Sequence, residues 1–224
     1  MNLLAIETAT TACAIGVRAG DVQLTRVLDE SRRHTEVLSS GIAAMLDELA
    51  LSPGDLDRVV VDQGPGLFTG LRVGLATAGA LAHAVGCDLV GVTSLELLAH
   101  GAFADGVRGR LLAVVDARRG EVFVQRFELG EIVSAVHDTA VVTPQEVADR
   151  LITGAVAVTL VGDGAARYAE LFADAPLVSF NPTRVPSMAA ALDVGARRAP
   201  VDVVAPIYLR DADAVANFVT RERL

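Results

Sequence analysis

The run Leu3-Leu4-Ala5-Ile6-Glu7 decides the fold, because Leu111-Leu112-Ala113-Val114-Val115-Asp116 echoes it in the second half of the chain. Each run leads through a tight turn into further β-type runs, a helical stretch and an apolar strand that enters a glycine loop. The two loops begin at Gly64 and Gly162. The repeated order predicts an α/β fold of two lobes, each with a mixed sheet and helices. We place the lobes at residues 1–103 and 104–204, with 205–224 returning to the first lobe.

Composition excludes several classes of function. The 224 residues include 28 acidic and 19 basic side chains, a formal charge of −9, and none of the basic residues is lysine. A pyridoxal Schiff base and a P-loop lysine are therefore excluded. The acidic pI and the scarcity of aromatic residues disfavour direct binding of nucleic acids. Sparse cysteine, no signal peptide and no long apolar span indicate a cytoplasmic protein that makes no membrane contact.

The glycine loop that follows the buried run Val59–Val61 is the most distinctive segment. It resembles a phosphate cradle, although it lacks the Gly-Lys-Ser/Thr of a Walker A loop and the spacing of a dinucleotide fingerprint. Thr69 is expected to cap the helix that follows, and Arg72 lies in its first turn. A strand-to-helix turn shaped only for packing is the alternative. The phosphate-loop candidates are Gly64, Gly66, Thr69, Gly70 and Arg72.

Carboxylates at strand ends are the other candidates for chemistry. Glu7 and Asp116 end equivalent strands, so in a two-lobed nucleotide-binding fold they would face the cleft between the lobes and hold Mg²⁺-phosphate. Capping of the local turns is the alternative. Histidine spacing gives no helical metal clamp, and we expect no metal and no cofactor. The predicted helices are Arg33–Leu51, Leu71–Val85, Ser94–Phe103, Pro144–Ile152, Ala166–Phe172 and Ser187–Arg197.

The first predicted helix is apolar over more than one face. Leu38, Ile42 and Met45 form one stripe, whereas Val37 and Leu46 lie off it. Such a helix must be covered on two sides, either by its own lobe or by a partner. In the next helix Gly74, Ala78 and Ala82 form a face of small residues that allows close approach of another element.

Four segments together resemble the TsaB family, also called YeaZ. They are Leu3–Thr10, Gly64–Gly74, Asp116–Val122 and Pro206–Arg210. The resemblance implies the two-lobed fold of the actin, Hsp70 and sugar-kinase superfamily. It also implies a subunit of the machinery that makes threonylcarbamoyladenosine (t6A) in tRNA. Two positions depart from the family pattern, since Glu7 stands where Asp is more usual and Leu67 where Ser is common.

The resemblance further implies a role without catalysis. The catalytic relative, TsaD, carries two metal-binding histidines on the helix that corresponds to Ser94–Phe103. Here Ser94 and Leu98 stand at those positions, and neither side chain can hold that metal. An alternative hypothesis is a stand-alone nucleotide-dependent kinase or ATPase that uses Glu7, Asp116 and the two glycine loops.

In the family, the two helices of the first lobe contact TsaD, or a second copy of the chain when TsaD is absent. The resemblance also implies recruitment of the small ATPase TsaE, with tRNA reached only indirectly through the complex. Carried over to this chain, the expected interface residues are Val37, Leu38, Ile42, Met45, Leu46, Leu71, Gly74, Leu75, Ala78 and Ala82.

Overall fold

The first half of the chain builds a five-stranded mixed sheet. The computed structural model describes residues 1–29, 34–152, 156–173 and 175–209. Strands lie in the order β3-β2-β1-β4-β5, with antiparallel pairing on the β2 side of β1 and parallel pairing on the β4 side. The strands are β1 (Asn2–Glu7), β2 (Cys13–Ala19), β3 (Val22–Asp29), β4 (Arg58–Asp62) and β5 (Asp88–Val92).

The second half repeats this arrangement. The central strand β6 (Gly109–Arg118) pairs antiparallel with β7 (Glu121–Leu129) and parallel with β10 (Val158–Val161). The order is β11-β10-β6-β7-β8, and β9 also pairs with β7. The outer strands are β8 (Val133–Ala135), β9 (Ala140–Val142) and β11 (Val178–Phe180). The duplicated α/β fold with two mixed sheets is confirmed by this shared order and direction of strands.

Helices cover both sheets. Those of the first half are α1 (His34–Glu48), α2 (Phe68–Val85) and α3 (Ser94–Ala104). The later helices are α4 (Pro144–Glu146), continued by a π-turn at Val147–Leu151, α5 (Asp163–Arg167), α6 (Ala169–Ala173) and α7 (Met188–Arg197). Among the described helices, none is long and apolar enough to cross a membrane.

Helices α1 and α2 pack on one face of the first sheet, and α7 packs on the other face. Leu192 and Ala191 of α7 lie in one apolar cluster with Leu3 and Val60 of that sheet. The predicted second lobe, 104–204, thus includes a helix that packs on the first sheet. The guanidinium of Arg58 secures the end of α7 by donating to the carbonyl oxygens of Gly195 and Arg198, at 2.7 and 2.9 Å.

Helix α3 connects the two sheets. It begins with a capping box, in which Thr93 accepts from the backbone N–H of Glu96 and Glu96 accepts from Thr93. Leu95 and Leu98 are fully buried against residues of β6 and β7. On its other side, Glu96 forms an ion pair with Arg198, just beyond α7, at 2.6 Å. The two halves therefore share α3 as a common support.

The chain returns to the first sheet after α7. The backbone N–H of Val201 donates to Leu89 O at 2.9 Å, and that of Ile207 donates to Gln63 O at 2.8 Å. Val204 packs against the cluster between α2 and the sheet. The rest of the expected return, 210–224, lies outside the described residues.

The seam between α2 and β1 predicts a sharp contrast between two glycines of one helix. A Cβ at Gly74 would overlap the hydroxyl of Thr8, which is buried and donates to Gly70 O at 2.8 Å. We expect Gly74→Ala to lower the free energy of unfolding by about 1–3 kcal/mol, because Thr8 must move and lose this bond. Urea titration measures the change.

Gly79 on the same helix is the matched control, because a Cβ there meets no atom within 4 Å. Gly79→Ala should stabilise the chain by up to about 1 kcal/mol through the lower backbone entropy of the unfolded state. Equal effects of the two substitutions would contradict the close packing of α2 on β1.

Candidate functional site

The first glycine loop is packed against the turn between β1 and β2. The backbone N–H of Leu67 donates to Ala9 O at 2.6 Å. A Cβ at Gly66 would overlap that same carbonyl, so the close approach requires glycine. The peptide bond between Gly64 and Pro65 is cis. The loop therefore forms a tight joint between two parts of the first lobe.

Polar groups of the loop are used inside the protein. The N–H of Gly64 donates to Asp62 Oδ1 at 2.8 Å, and Gly70 O accepts from Thr8. Ser94 binds the loop twice, through its N–H to Gly64 O at 3.1 Å and its hydroxyl to Pro65 O at 3.0 Å. These bonds favour the packing interpretation of the loop over the phosphate cradle.

The predicted capping role of Thr69 is wrong, and Arg72 contacts aromatic side chains. Helix α2 begins at Phe68, and the residue at its N-cap is Leu67, so Thr69 lies exposed within the first turn and does not cap. The Arg72 guanidinium lies 3.8 Å from the centroid of the Phe68 ring and donates to the Tyr208 hydroxyl at 3.2 Å. Arg72 is thus held in an aromatic cluster on the surface.

Glu7 is a buried side chain that binds the turn after β1. Its side chain is fully buried, and Oε1 accepts from the backbone N–H and the hydroxyl of Thr10, at 2.8 and 2.7 Å. This is the capping role that was the alternative for this residue.

Asp116 is buried as well, and two arginines neutralise it. Arg118 donates to it from its N–H at 3.0 Å and from its guanidinium at 2.9 Å, and Arg167 lies 3.6 Å away. Asp163 accepts from the N–H of Asp116 at 2.9 Å. Burial, with a further contribution from the Asp116 charge, raises the pKa of Asp163 to about 6.

A cavity of about 330 Å³ marks the cleft between the two halves. Thr11 and Ala12 line it from the first half, and Asp163, Arg167 and Arg184 line it from the second. The sequence analysis named the second glycine loop as a candidate but did not name Asp163, Arg167 or Arg184 as site residues. The Asp within Gly162-Asp163-Gly164 was the available signal, whereas the arginines follow from the tertiary fold alone.

The expected interface residues of α1 are mostly core residues. Leu38, Ile42, Met45 and Leu46 are at most 7% exposed and pack in the cluster between α1, α2 and the sheet. The expectation that these four contact a partner is corrected, because the lobe itself covers both apolar stripes. Val37 is half-buried.

The same correction applies to α2. Leu71, Gly74, Ala78 and Ala82 face the sheet and are buried, while Leu75 is half-buried. The small residues serve close packing inside the lobe. On the opposite face, exposed positions recur at helical spacing and are mostly small: Thr69, Arg72, Ala76, Ala80 and His83.

Ser94 and Leu98, which the family resemblance sets at the positions of the TsaD histidines, are structural side chains. Ser94 is buried and donates its hydroxyl to Asp62 Oδ1 at 2.9 Å, and Leu98 is fully buried. Within the described ranges, no group of three or more His, Cys, Asp or Glu side chains is placed to hold a metal ion.

Comparison with known proteins places the chain in a family. The model of the TsaD family, the tRNA N6-adenosine threonylcarbamoyltransferases, matches residues 29–218. A Mycobacterium tuberculosis protein described as uncharacterized is 38% identical over 218 residues, 95% of this chain and 93% of that protein. The tRNA threonylcarbamoyladenosine biosynthesis protein TsaB of Escherichia coli is 33% identical over 154 residues, 67% of this chain and 66% of that protein.

A solved structure agrees with these matches. YeaZ from Pseudomonas aeruginosa superimposes with a TM-score of 0.82 at 26% identity, covering 93% of this chain and 99% of that chain. The chain belongs to the TsaD family, in its TsaB/YeaZ branch. The family resemblance read from the glycine loop and the strand ends is thereby confirmed.

The geometry around Asp116 predicts weak nucleotide binding by this TsaB-family chain alone. Arg118 and Arg167 already neutralise the carboxylate, and Glu7 is buried. Isothermal titration calorimetry with Mg-ATP should therefore give no saturable heat at micromolar nucleotide. Tight binding with turnover that Asp116→Ala abolishes would contradict this prediction.

Proposed function

We propose that the chain is a non-catalytic subunit of the complex that makes t6A in tRNA. It docks a TsaD-type catalytic paralogue through the outer faces of α1 and α2 and holds that paralogue in its active form. The observation that carries the proposal is membership of the TsaB branch. The family resemblance adds that Ser94 and Leu98 stand where TsaD carries its metal-binding histidines.

The outer faces of the two helices support docking. On α2 the exposed surface centres on Ala76 and Ala80, and on α1 it includes Ala43 and Ala44. Small side chains let the backbone of a facing helix approach closely, so shape rather than charge would hold the contact. This moves the proposed interface from the buried stripes to the opposite side of the same helices.

Fixed internal bonds support a role without chemistry. The one hydroxyl proton of Ser94 is shared between Asp62 Oδ1 and Pro65 O, and two arginines neutralise Asp116. The groups that a kinase or ATPase of this superfamily would aim at Mg²⁺-phosphate are thus committed to the fold. The stand-alone enzyme is for this reason the weaker alternative.

The remaining partners follow from family membership. We infer that the assembled pair recruits a TsaE-type ATPase, that tRNA is reached through the complex, and that the isolated chain can pair with a second copy through the same helices. A formal charge of −9 fits a subunit that does not grip tRNA itself. A cytoplasmic location fits the proposed role in tRNA modification.

The docking proposal predicts the effect of a bulky cation on the outer face of α2. Ala76→Arg should weaken binding to the TsaD-type paralogue about tenfold or more, because the long side chain prevents close approach of the facing helix. Co-purification and calorimetric titration of the purified pair measure the loss. The thermal unfolding midpoint of the variant should stay near that of the unaltered chain, since Ala76 is exposed.

Ala104→Arg is the matched control, because Ala104 is an exposed alanine on α3, away from this surface. It should bind like the unaltered chain. Equal binding by both variants would show that the outer face of α2 is not the interface. Ile42 and Met45 are unsuitable for this test, since substitution there damages the core of the lobe.

A further inference from the structure

Two buried carboxyl groups end neighbouring strands of the first sheet, and each has one oxygen without a donor. Glu7 ends β1 and Asp62 ends β4, and the two strands are paired in parallel with Ile6 opposite Val61. Glu7 is 0% exposed and Asp62 is 1% exposed. Neither Glu7 Oε2 nor Asp62 Oδ2 receives a hydrogen bond from any described group. Two such oxygens would be costly if both groups were ionised.

The other oxygen of each carboxyl is fully occupied. Glu7 Oε1 accepts from the N–H and hydroxyl of Thr10, while Asp62 Oδ1 accepts from Gly64 N–H and the Ser94 hydroxyl. These four bonds fix both carboxyl planes, so the two free oxygens belong to groups that cannot turn toward solvent.

We propose that Glu7 and Asp62 share a single proton at neutral pH, which Asp62 Oδ2 donates to Glu7 Oε2. The resulting hydrogen bond satisfies both free oxygens with one donor. It joins the β1–β2 turn, which Glu7 caps, to the glycine loop and the start of α3, which Asp62 holds. This hydrogen bond depends on the proton, and it holds together the segments that precede α2.

The surroundings support this assignment. Glu7 lies opposite Ala14 on β2, and Asp62 lies opposite Val92 on β5. From α3 the facing group is the Ser94 hydroxyl, and from α2 Gly74 packs on Thr8 beside the pair. Burial raises the pKa of Asp62 well above its usual value, and the neighbouring charge of Glu7 raises it further. Glu7 is the charged side chain among the groups that act on Asp62.

The sign of the pH effect follows from linkage. The folded chain keeps a proton on Asp62 that the unfolded chain releases near pH 4. Between that pH and the raised pKa of the folded state, each rise of one pH unit increases the unfolding equilibrium constant about tenfold through this pair. The stability that the retained proton contributes is largest near pH 4 and is lost as the pH rises toward the raised pKa of the folded state.

Carboxyl-selective ¹³C NMR of the full chain at pH 7 tests the proposal directly. We expect one protonated carboxyl signal that is lost in Asp62→Asn and retained in Asp163→Asn, the control for the other Asp with a raised pKa. Glu7→Gln should lower the pH at which Asp62 titrates, because it removes the like charge and offers an amide donor.

Urea unfolding from pH 5 to 7 is the second measurement. The ratio of unfolding constants, unaltered chain over Asp62→Asn, should rise with pH, since the Asn amide can make the same bond without titrating. A constant ratio, or the absence of a protonated carboxyl at pH 7, would overturn the proposal. If Asp62→Asn does not fold, the pH at which the Asp62 carboxyl titrates is compared between the unaltered chain and Glu7→Gln. An equal pH in the two proteins would then overturn the proposal.

Discussion

The first lobe depends on the contact that the glycine loop and the start of α2 make with the end of β1 and the β1–β2 turn. Gly66 lies directly on the carbonyl of Ala9, Gly74 lies on the hydroxyl of Thr8, and Thr8 in turn binds Gly70. The absence of side chains at the two glycines lets the start of α2 lie on the end of β1. Since α2 supports α1, this seam also sets the position of the outer surface that both helices share.

The same packing supports the proposed role without catalysis, because it uses polar side chains at the strand ends inside the fold. At the end of β1 the carboxylate turns inward to cap a turn, and at the end of β6 arginines neutralise its counterpart. Ser94 uses its hydroxyl to tie α3 to the glycine loop. Each of these side chains thus holds a turn or loop of its own half in place.

Most of the fold could be predicted from the sequence, because the echo of Leu3–Glu7 by Leu111–Asp116 reports a duplicated strand order directly. The predicted start of α2 at Leu71 was three residues late, since no capping side chain marks Phe68. The short strand β9 was missed because three residues carry too little pattern. Helix α7 was assigned to the second lobe, and only tertiary packing places it on the first sheet.

The candidate site was less predictable. Periodicity shows that Leu38 and Met45 are apolar, but it cannot say whether the sheet or a partner covers them. The structure shows that the sheet does. The neutralisation of Asp116 by Arg167 joins residues far apart in sequence, and no local pattern reports such a contact.

The central claim is that the chain works through contact and not through its own cleft. Reconstituted t6A synthesis with the purified TsaD-type paralogue, in which Asp116→Ala replaces the unaltered chain, tests this claim most directly. The account predicts that t6A formation requires the chain and continues with the variant at a similar rate. Loss of t6A formation while the variant still assembles with the paralogue would contradict it.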